Sequence, residues 1–321
     1  MACPSYAGRW RPLDTSRCNP AADATATLGP GAITLSRMTS LDSALDRLEA
    51  NAALALPRNL RGRAEALDWL ERMFPEPLPG EGTAHTELDA RAQALRQRLE
   101  AADARLFQAL RGAVLQGRGA DSLAPWLDDV PAGGAYDHLD ALLSGLLQLE
   151  PPAAPSVELS AEMVFYQPTP ARHIFDLLRQ LRLAPHDVLV DIGCGLGHVP
   201  LLAAILTGAR SFGIELEPAY VASARRAADA LGLDRVRFDI ADARAADYTA
   251  GTVFYLYTPF RGAVLRDVLD ALRAQSRQRA IRICTYGPCT TAVAREEWLE
   301  PTGHVSTERV VVFSSRNVPP D

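Results

Sequence analysis

The sequence predicts an α/β fold in which a doubly wound, mostly parallel sheet follows an all-helical domain. Apolar runs of strand length alternate with helical patterns over residues 156–321, whereas residues 39–150 show helical periodicity alone. Three prolines within residues 151–155 separate the two regions as a stiff linker. Alternating strands and helices imply right-handed crossovers, with helices on both faces of the sheet.

The helical region begins after a segment of different composition. Residues 1–38 are rich in Pro, Gly, Ala, Thr and Ser, which predicts a disordered tail, and Met38 is an alternative start of the chain. Apolar stripes then predict helices near residues 41–48, 66–73, 87–114 and 136–149, with breaks near 75–82 and 131–134. We expect these leucines to form the core of a bundle.

The second region is predicted element by element. Helices are expected over residues 171–183, 199–207, 218–231 and 262–274, and strands over 188–192, 211–214, 236–238, 252–257 and 280–285. A short strand near Trp298 and the apolar run 310–313 predict an antiparallel C-terminal hairpin at the sheet edge.

Composition limits the class of protein. The chain has 321 residues, a hydrophobic fraction of 48%, a formal charge of −6 and a pI near 5.6. The acidic balance makes nucleic acid an unexpected partner and favours a small molecule or a protein. No apolar stretch reaches the ~18 residues of a membrane helix. The five cysteines and six histidines are scattered, so we expect neither a disulfide framework nor a metal site. We expect the protein to be cytoplasmic.

The most informative motif is a glycine turn that follows a buried strand. The strand ends in Asp191, and Gly193, Gly195 and Gly197 follow at alternate positions, which permits a sharp turn and a close approach to a ligand. Dinucleotide sites use the spacing Gly-x-Gly-x-x-Gly, and here the third glycine stands one position too early. An acid at the strand end would repel a pyrophosphate and suits a ligand with positive charge.

Two further carboxylates stand at the ends of the next two strands. Glu215 can accept hydrogen bonds from both hydroxyls of a ribose, and Asp242 can reach an exocyclic adenine amine. Because ligands of open parallel sheets bind at the carboxyl ends of the strands, we expect both beside the glycine turn.

With these three elements in order, residues 160–315 resemble a class I S-adenosylmethionine-dependent methyltransferase, which has a Rossmann-like fold. The resemblance implies S-adenosyl-L-methionine as the cofactor. It implies that Asp191 and the glycine turn hold the methionine moiety, Glu215 the ribose, and Asp242 or its neighbouring backbone the adenine. The activity implied is methyl transfer by in-line displacement, and the alternative is a non-catalytic module that binds the cofactor or its demethylated product.

A short segment upstream of the first strand carries a second resemblance. Tyr166 and Thr169 stand among prolines directly before a predicted helix. This placement is similar to the gating loop of the non-SET histone lysine methyltransferases, whose aromatic-plus-threonine segment folds over the cofactor. The resemblance implies that both residues contact the cofactor, and the alternative is an ordinary connector. The chain has no obvious basic, nucleosome-directed extension, so histone methylation does not follow.

The fourth strand ends where this fold places its catalytic loop. Methyltransferases of amides and adenine carry Asn- or Asp-Pro-Pro-aromatic there, whereas this chain has Tyr257 and Thr258 before a Pro-Phe pair. This departure argues against amide or nucleobase N-methylation. Tyr257 is the candidate catalytic residue, with core packing as the alternative. Tyr286 and Cys289 are expected to face the substrate, and His198 is a weaker candidate base.

Overall fold

The computed structural model describes residues 30–75, 86–127, 137–152, 156–157 and 161–316, with side chains from residue 40 onwards. Two compact units divide the chain, residues 1–48 and residues 49–321. Helix α1 (Pro30–Ala50) begins earlier than the predicted start of the helical domain at residue 39. Residues 1–29 of the predicted tail lie outside the described residues, as do residues 76–82 of the first predicted break and the whole of the second. The domain boundaries stay predictions.

In the described part of the chain, four more α-helices lie between α1 and residue 150. They are α2 (Leu60–Met73), α3 (Glu87–Leu115), α4 (Gly119–Leu127) and α5 (His138–Leu147). Helix α3 follows the predicted stripe and begins with a capping box, in which Thr86 Oγ1 accepts the N–H of Asp89 at 3.2 Å and the Asp89 carboxylate accepts the N–H of Thr86 at 2.9 Å. Helix α4 is not predicted, because Pro125 interrupts its short pattern.

The helices before the sheet pack onto the helices that flank it. Helix α5 lies against α6 (Ala171–Leu181), and α4 lies against α7 (His198–Thr207). Buried leucines of both layers join one apolar core with the near face of the sheet, among them Leu123, Leu142, Leu146, Leu177 and Leu201. Leucines predicted to form the core of a bundle, such as Leu106, Leu142 and Leu146, are buried, but the core they join includes the sheet and its flanking helices. Burial of each such side chain stabilises the fold by roughly 1.5–3 kcal/mol.

Seven strands form the sheet predicted from the alternating pattern. They are β1 (Val188–Ile192), β2 (Arg210–Glu215), β3 (Val236–Ile240), β4 (Val253–Leu256), β5 (Arg282–Thr285), β6 (Leu299–Pro301) and β7 (Val311–Ser315). Their order is β3-β2-β1-β4-β5-β7-β6, and β7 runs antiparallel to both of its neighbours. The predicted C-terminal hairpin is confirmed. Relative to the dinucleotide-binding order 3-2-1-4-5-6, the reversed strand is inserted before the last one.

The order of the strands reverses between β1 and β4, and the space outside the carboxyl ends of these two strands is here called the crevice. The chain leaves β1 for β2 and β3 by way of α7 and α8 (Pro218–Ala230), then returns to β4 on the other side of β1. In register, Asp191 of β1 lies between Gly213 of β2 and Tyr255 of β4. Open α/β sheets bind ligands outside the carboxyl ends of strands at such a reversal. Helices α9 (Gly262–Ser276) and α10 (Cys289–Val293) follow β4 and β5.

Candidate active site

The glycine turn after β1 leads into the crevice. All three glycines have left-handed backbones, with φ of +77° at Gly193, +54° at Gly195 and +83° at Gly197. The N–H of Gly193 donates to the carbonyl of Ile214 at 2.9 Å, which fixes the turn to the end of β2. A Cβ on Gly195 would overlap the ring of Tyr166, so that ring lies directly on the turn.

Asp191 brings a buried negative charge to this turn. The residue is 4% exposed, and within the described part of the chain no group donates a hydrogen bond to its carboxylate. Burial raises the pKa of Asp191 well above its ordinary value, and the charge of Glu215 raises it further. A cation bound here would relieve both costs, whereas a pyrophosphate would add to them.

Glu215 connects the end of β2 to the glycine turn. Its Oε2 accepts the N–H of Gly195 at 2.8 Å, and its Oε1 accepts the N–H of Leu216 at 2.7 Å and of Glu217 at 3.0 Å. These bonds hold the carboxylate at the mouth of the crevice, near Asp191 as predicted. Each carboxylate oxygen has two lone-pair directions; Oε1 uses both and Oε2 uses one, so one direction on Oε2 remains for a hydroxyl donor.

Asp242 lies beyond β3 and is engaged with its own loop. It begins a short 3-10 turn and accepts the N–H of Arg244 at 2.9 Å. The guanidinium of Arg244 also donates to it, from Nη2 at 2.6 Å and from Nε at 3.1 Å, and these bonds lower the pKa of Asp242. The structure records no contact between Asp242 and the carboxylates of Asp191 and Glu215, and its predicted role with adenine stays a prediction.

The segment of residues 161–170, here called the connector, is fastened at its first end to the loop after β4. The Glu162 carboxylate accepts the N–H groups of Ala263 and Val264, both at 3.1 Å, and so caps the start of α9. The N–H of Val164 donates to the carbonyl of Pro259 at 3.1 Å. The connector therefore starts beside β4 and crosses towards the turn after β1.

The middle and the far end of the connector lie over the crevice. The Tyr166 ring packs against Tyr220 with centroids 4.9 Å apart, and its hydroxyl lies 3.4 Å from Nδ1 of His198. Desolvation lowers the pKa of His198 to about 4, so this histidine is neutral at pH 7. Thr169 is buried, and its Oγ1 lies 3.2 Å from the hydroxyl of Tyr255. The two connector residues singled out from the sequence are thus brought to β1 and β4.

Tyr257 and Tyr286 meet where β4 and β5 end. Their rings stack with centroids 4.7 Å apart, and the Tyr257 hydroxyl donates to Oε1 of Gln167 at 3.4 Å. Thr258 has a φ of +40°, a strained value for a β-branched residue. Its hydroxyl donates to the Tyr286 carbonyl at 3.0 Å and accepts the N–H of Cys289 at 3.1 Å, which compensates the strain.

Cys289 does not face the substrate side. The residue is 3% exposed, and its thiol lies 3.7 Å from the carbonyl oxygens of Leu256 and Tyr286. Burial raises the pKa of this thiol, so it stays protonated at pH 7. The expectation that Cys289 meets a substrate is wrong, because the first turn of α10 directs its side chain into the core.

Two residues that the sequence does not single out complete this end of the sheet. Arg172 and His173, at the start of α6, are both buried, and the His173 ring lies 4.1 Å from that of Tyr286. The only available signal is a pair of basic residues in the first turn of a helix whose remaining pattern is strongly apolar on one face. Periodicity alone assigns such residues to a solvated face.

Within the described residues, no group of three or more His, Cys, Asp or Glu side chains could hold a metal ion, and Cys194, Cys284 and Cys289 are free thiols. Of the helices in this part of the chain, none combines the length and apolarity that crossing a membrane requires.

A protein family described as methyltransferase domain matches residues 183–277, which is less than half of the chain and runs from before β1 to the end of α9. No curated protein matches the chain.

Solved structures resemble about half of the chain. An RNA methyltransferase from Salinibacter ruber, in complex with S-adenosyl-L-homocysteine, is 28% identical with a TM-score of 0.38 over 48% of this chain and 98% of that one. TrmN from Thermus thermophilus is 22% identical with a TM-score of 0.36, over 45% of this chain and 48% of that one. A precorrin-6y C5,15-methyltransferase from Geobacter metallireducens is 19% identical with a TM-score of 0.38, over 49% and 92%.

The strand order, the glycine turn and the family match together define a class I S-adenosylmethionine-dependent methyltransferase fold. S-adenosyl-L-methionine is accordingly its cofactor, and the buried carboxylate at the turn fits the positive charge of that molecule. The comparisons do not show the resemblance of the connector to the non-SET histone lysine methyltransferases, which stays a prediction.

Proposed function

We propose that this chain transfers a methyl group from S-adenosyl-L-methionine to a small-molecule or protein acceptor. The observation that carries the proposal is the convergence of Asp191 and Glu215 on the glycine turn at the crevice between β1 and β4. When bound, the cofactor supplies an electrophilic methyl group on a sulfonium. The work of the protein is then to align the acceptor with that group and to exclude water.

The proposal assigns a cofactor-binding role to each of the predicted side chains. Asp191, buried and without a hydrogen-bond donor among the described residues, binds the ammonium of the methionine moiety. Glu215, fixed at the mouth of the crevice, accepts the ribose hydroxyls, and Asp242 or the backbone beside it meets the adenine. Tyr166 and Thr169 cover the cofactor from the connector, as the resemblance to a gating loop implies.

Tyr257 is the proposed catalytic residue on the acceptor side. Burial and the neighbouring Tyr286 raise the pKa of its hydroxyl, so at neutral pH it donates a hydrogen bond and does not act as a base. We propose that it orients the acceptor for in-line attack. An alternative is that the chain binds the cofactor or its product without catalysis. Measuring turnover and cofactor affinity independently in Tyr257→Phe and Tyr166→Phe distinguishes catalysis from binding alone.

Removing the ribose-binding carboxylate tests the cofactor site. Glu215→Ala should weaken binding of S-adenosyl-L-homocysteine by about 1–3 kcal/mol, because the ribose hydroxyls lose their acceptor. Calorimetric titration measures this, and Glu300→Ala, an exposed position on β6, is the matched control. An unchanged affinity in folded Glu215→Ala would refute the ribose assignment.

The acceptor class needs a separate experiment. Labelled S-adenosyl-L-methionine should transfer its methyl group to the protein or small-molecule fraction of a lysate when the chain is added. Labelling confined to the nucleic-acid fraction would overturn the proposed acceptor class. The cytoplasmic location is likewise a prediction, and fractionation of cells that produce the protein tests it.

A further inference from the structure

Arg172 is buried, and two of its three guanidinium nitrogens have no hydrogen-bond partner among the described residues. The residue is 5% exposed, and these two atoms are Nε and Nη2. The third nitrogen, Nη1, lies 3.5 Å from Oδ2 of Asp137. Buried polar groups are nearly always satisfied, and an unpaired charged donor costs more than a neutral one. An anion that accepts from Nε and Nη2 would remove this cost.

The two unpaired nitrogens form one edge of the guanidinium. Their N–H groups are nearly parallel, which is the geometry that receives both oxygens of a carboxylate. The adjacent His173 is 8% exposed, and its Nε2 also has no partner within the described ranges. Two neighbouring residues therefore present unsatisfied polar atoms at the start of α6.

An aromatic stack lies beside these atoms. The His173 ring is 4.1 Å from the Tyr286 ring at an interplanar angle of 33°, and Tyr286 is 4.7 Å from Tyr257 at 29°. Burial raises the pKa of the Tyr286 hydroxyl, and the positive charge of Arg172 lowers it. Because Tyr257 and Tyr286 follow β4 and β5, the stack lies at the carboxyl end of the sheet, where the crevice opens.

We propose that Arg172, His173 and the Tyr257–Tyr286 stack form the acceptor subsite and bind a planar aromatic molecule that carries a carboxylate. The guanidinium edge binds the carboxylate, and the stacked rings contact the flat body of the molecule. This inference rests on the proposed function, since it assigns the acceptor of the same site. It replaces an unspecified small molecule by a chemical class.

Benzoate and benzamide are matched probes, since they share the ring and differ in charge. Each is titrated by calorimetry into the full chain saturated with S-adenosyl-L-homocysteine. We expect benzoate to bind at least about tenfold more tightly than benzamide, because only the anion pairs with the guanidinium. Arg172→Gln, and also Arg172→Lys, which keeps the charge but lacks the fork, should lose about tenfold in benzoate affinity.

Arg179→Gln is the matched control, because Arg179 lies on the same helix with a side chain that is 62% exposed and pairs only with Asp176 among the described residues. Its benzoate affinity should equal that of the unsubstituted chain. Equal binding of benzoate and benzamide, or benzoate binding that Arg172→Gln leaves unchanged, would overturn the inference. If the Arg172 variants do not fold, the comparison of the two probes on the unsubstituted chain decides alone. Failure to bind S-adenosyl-L-homocysteine would instead contradict the proposed function.

Discussion

Two buried aspartates lie at the two ends of strand β1, and their surroundings differ. Asp187, just before the strand, accepts the N–H of Ala184 at 2.8 Å, the hydroxyl of Thr252 at 3.0 Å and Nη2 of Arg282 at 2.9 Å. Burial alone would raise the pKa of Asp187, but these donors and the charge of Arg282 lower it. At Asp191 no such donors occur among the described residues, and the pKa is raised well above its ordinary value.

The contrast separates a stabilising end of the sheet from a binding end. At the amino end, the Asp187 carboxylate ties the loop before β1 to the residue that precedes β4, and every donor belongs to the protein. At the carboxyl end, the carboxylate of Asp191 is held without such donors, an arrangement that a bound cation completes. Perturbed, uncompensated groups in a crevice are typical of functional sites.

The largest expected effect on stability is at the amino end. Asp187→Asn should lower the free energy of unfolding by about 2–3 kcal/mol at neutral pH, because Arg282 loses its carboxylate partner and one amide hydrogen of the new side chain faces a donor. The depressed pKa means that this contribution is present above the unfolded value of about 3.9 and is lost as the pH falls through the folded pKa. Urea unfolding from pH 2 to 8 measures the difference, which should stay constant above about pH 4 and shrink below it.

The folded fraction of Asp187→Asn should bind S-adenosyl-L-homocysteine with unchanged affinity. A large loss of affinity at equal folding would show that the amino end also serves the site, and the contrast between the two ends would not hold.

Replacing the aspartate at the carboxyl end should change the free energy of unfolding in the opposite direction. Asp191→Asn should raise the free energy of unfolding of the ligand-free chain by about 1 kcal/mol at neutral pH, because a buried carboxylate beside Glu215 is replaced by a neutral group. Since the folded pKa is raised, the cost of the wild-type carboxylate is absent below about pH 3.9 and grows as the pH rises to the folded value. The same urea series should therefore show a gain that increases with pH.

If Asp191 serves binding, the variant that gains stability should lose affinity for the cofactor. Asp191→Asn should bind S-adenosyl-L-homocysteine about tenfold more weakly, since a charge-assisted hydrogen bond to the ammonium becomes a neutral one. Calorimetry on the same samples gives both readouts. A variant that is less stable than wild type and binds equally well would assign Asp191 to the fold.

The comparison also shows what a single sequence can predict. Strand β1 is found over the predicted residues 188–192, because a strand buried on both faces reads as one apolar run bounded by turn residues. The acid and the glycines after it are predicted for the same local reason. The insertion of β7 between β5 and β6 is not predicted, since strand order depends on contacts far apart in sequence.

Charged residues inside apolar helices mark the limit of prediction from pattern. Arg172 belongs to a helix whose amphipathic pattern would place an arginine towards solvent, yet it is buried beside Asp137. Whether a carboxylate is satisfied, as at Asp187, or left without donors among the described residues, as at Asp191, depends on side chains from β4 and β5 or the loops before them. Neither property is encoded within a window of neighbouring residues.

Backbone strain gives the smallest of the expected effects. It extends the comparison from β1 to other residues at the amino and carboxyl ends of the sheet. Arg182 ends α6 before the amino end of β1 with a φ of +43°, is exposed, and gains nothing evident from this strain. Arg182→Gly should therefore raise the free energy of unfolding by about 0.5–1 kcal/mol. Gln148→Gly, at a similar helix end with a φ of +50°, should behave alike and serves as the control.

At the carboxyl end of the sheet, replacing a strained residue by glycine should not raise the free energy of unfolding. Thr258→Gly removes the strain at φ +40° but also the hydroxyl that joins the Tyr286 carbonyl to the N–H of Cys289, and each such bond contributes about 1 kcal/mol. We expect a net loss of about 1 kcal/mol in the urea series, with weaker binding of benzoate because the Tyr257–Tyr286 stack loosens. A gain equal to that of Arg182→Gly would mean that the strain after β4 serves no purpose at the binding end.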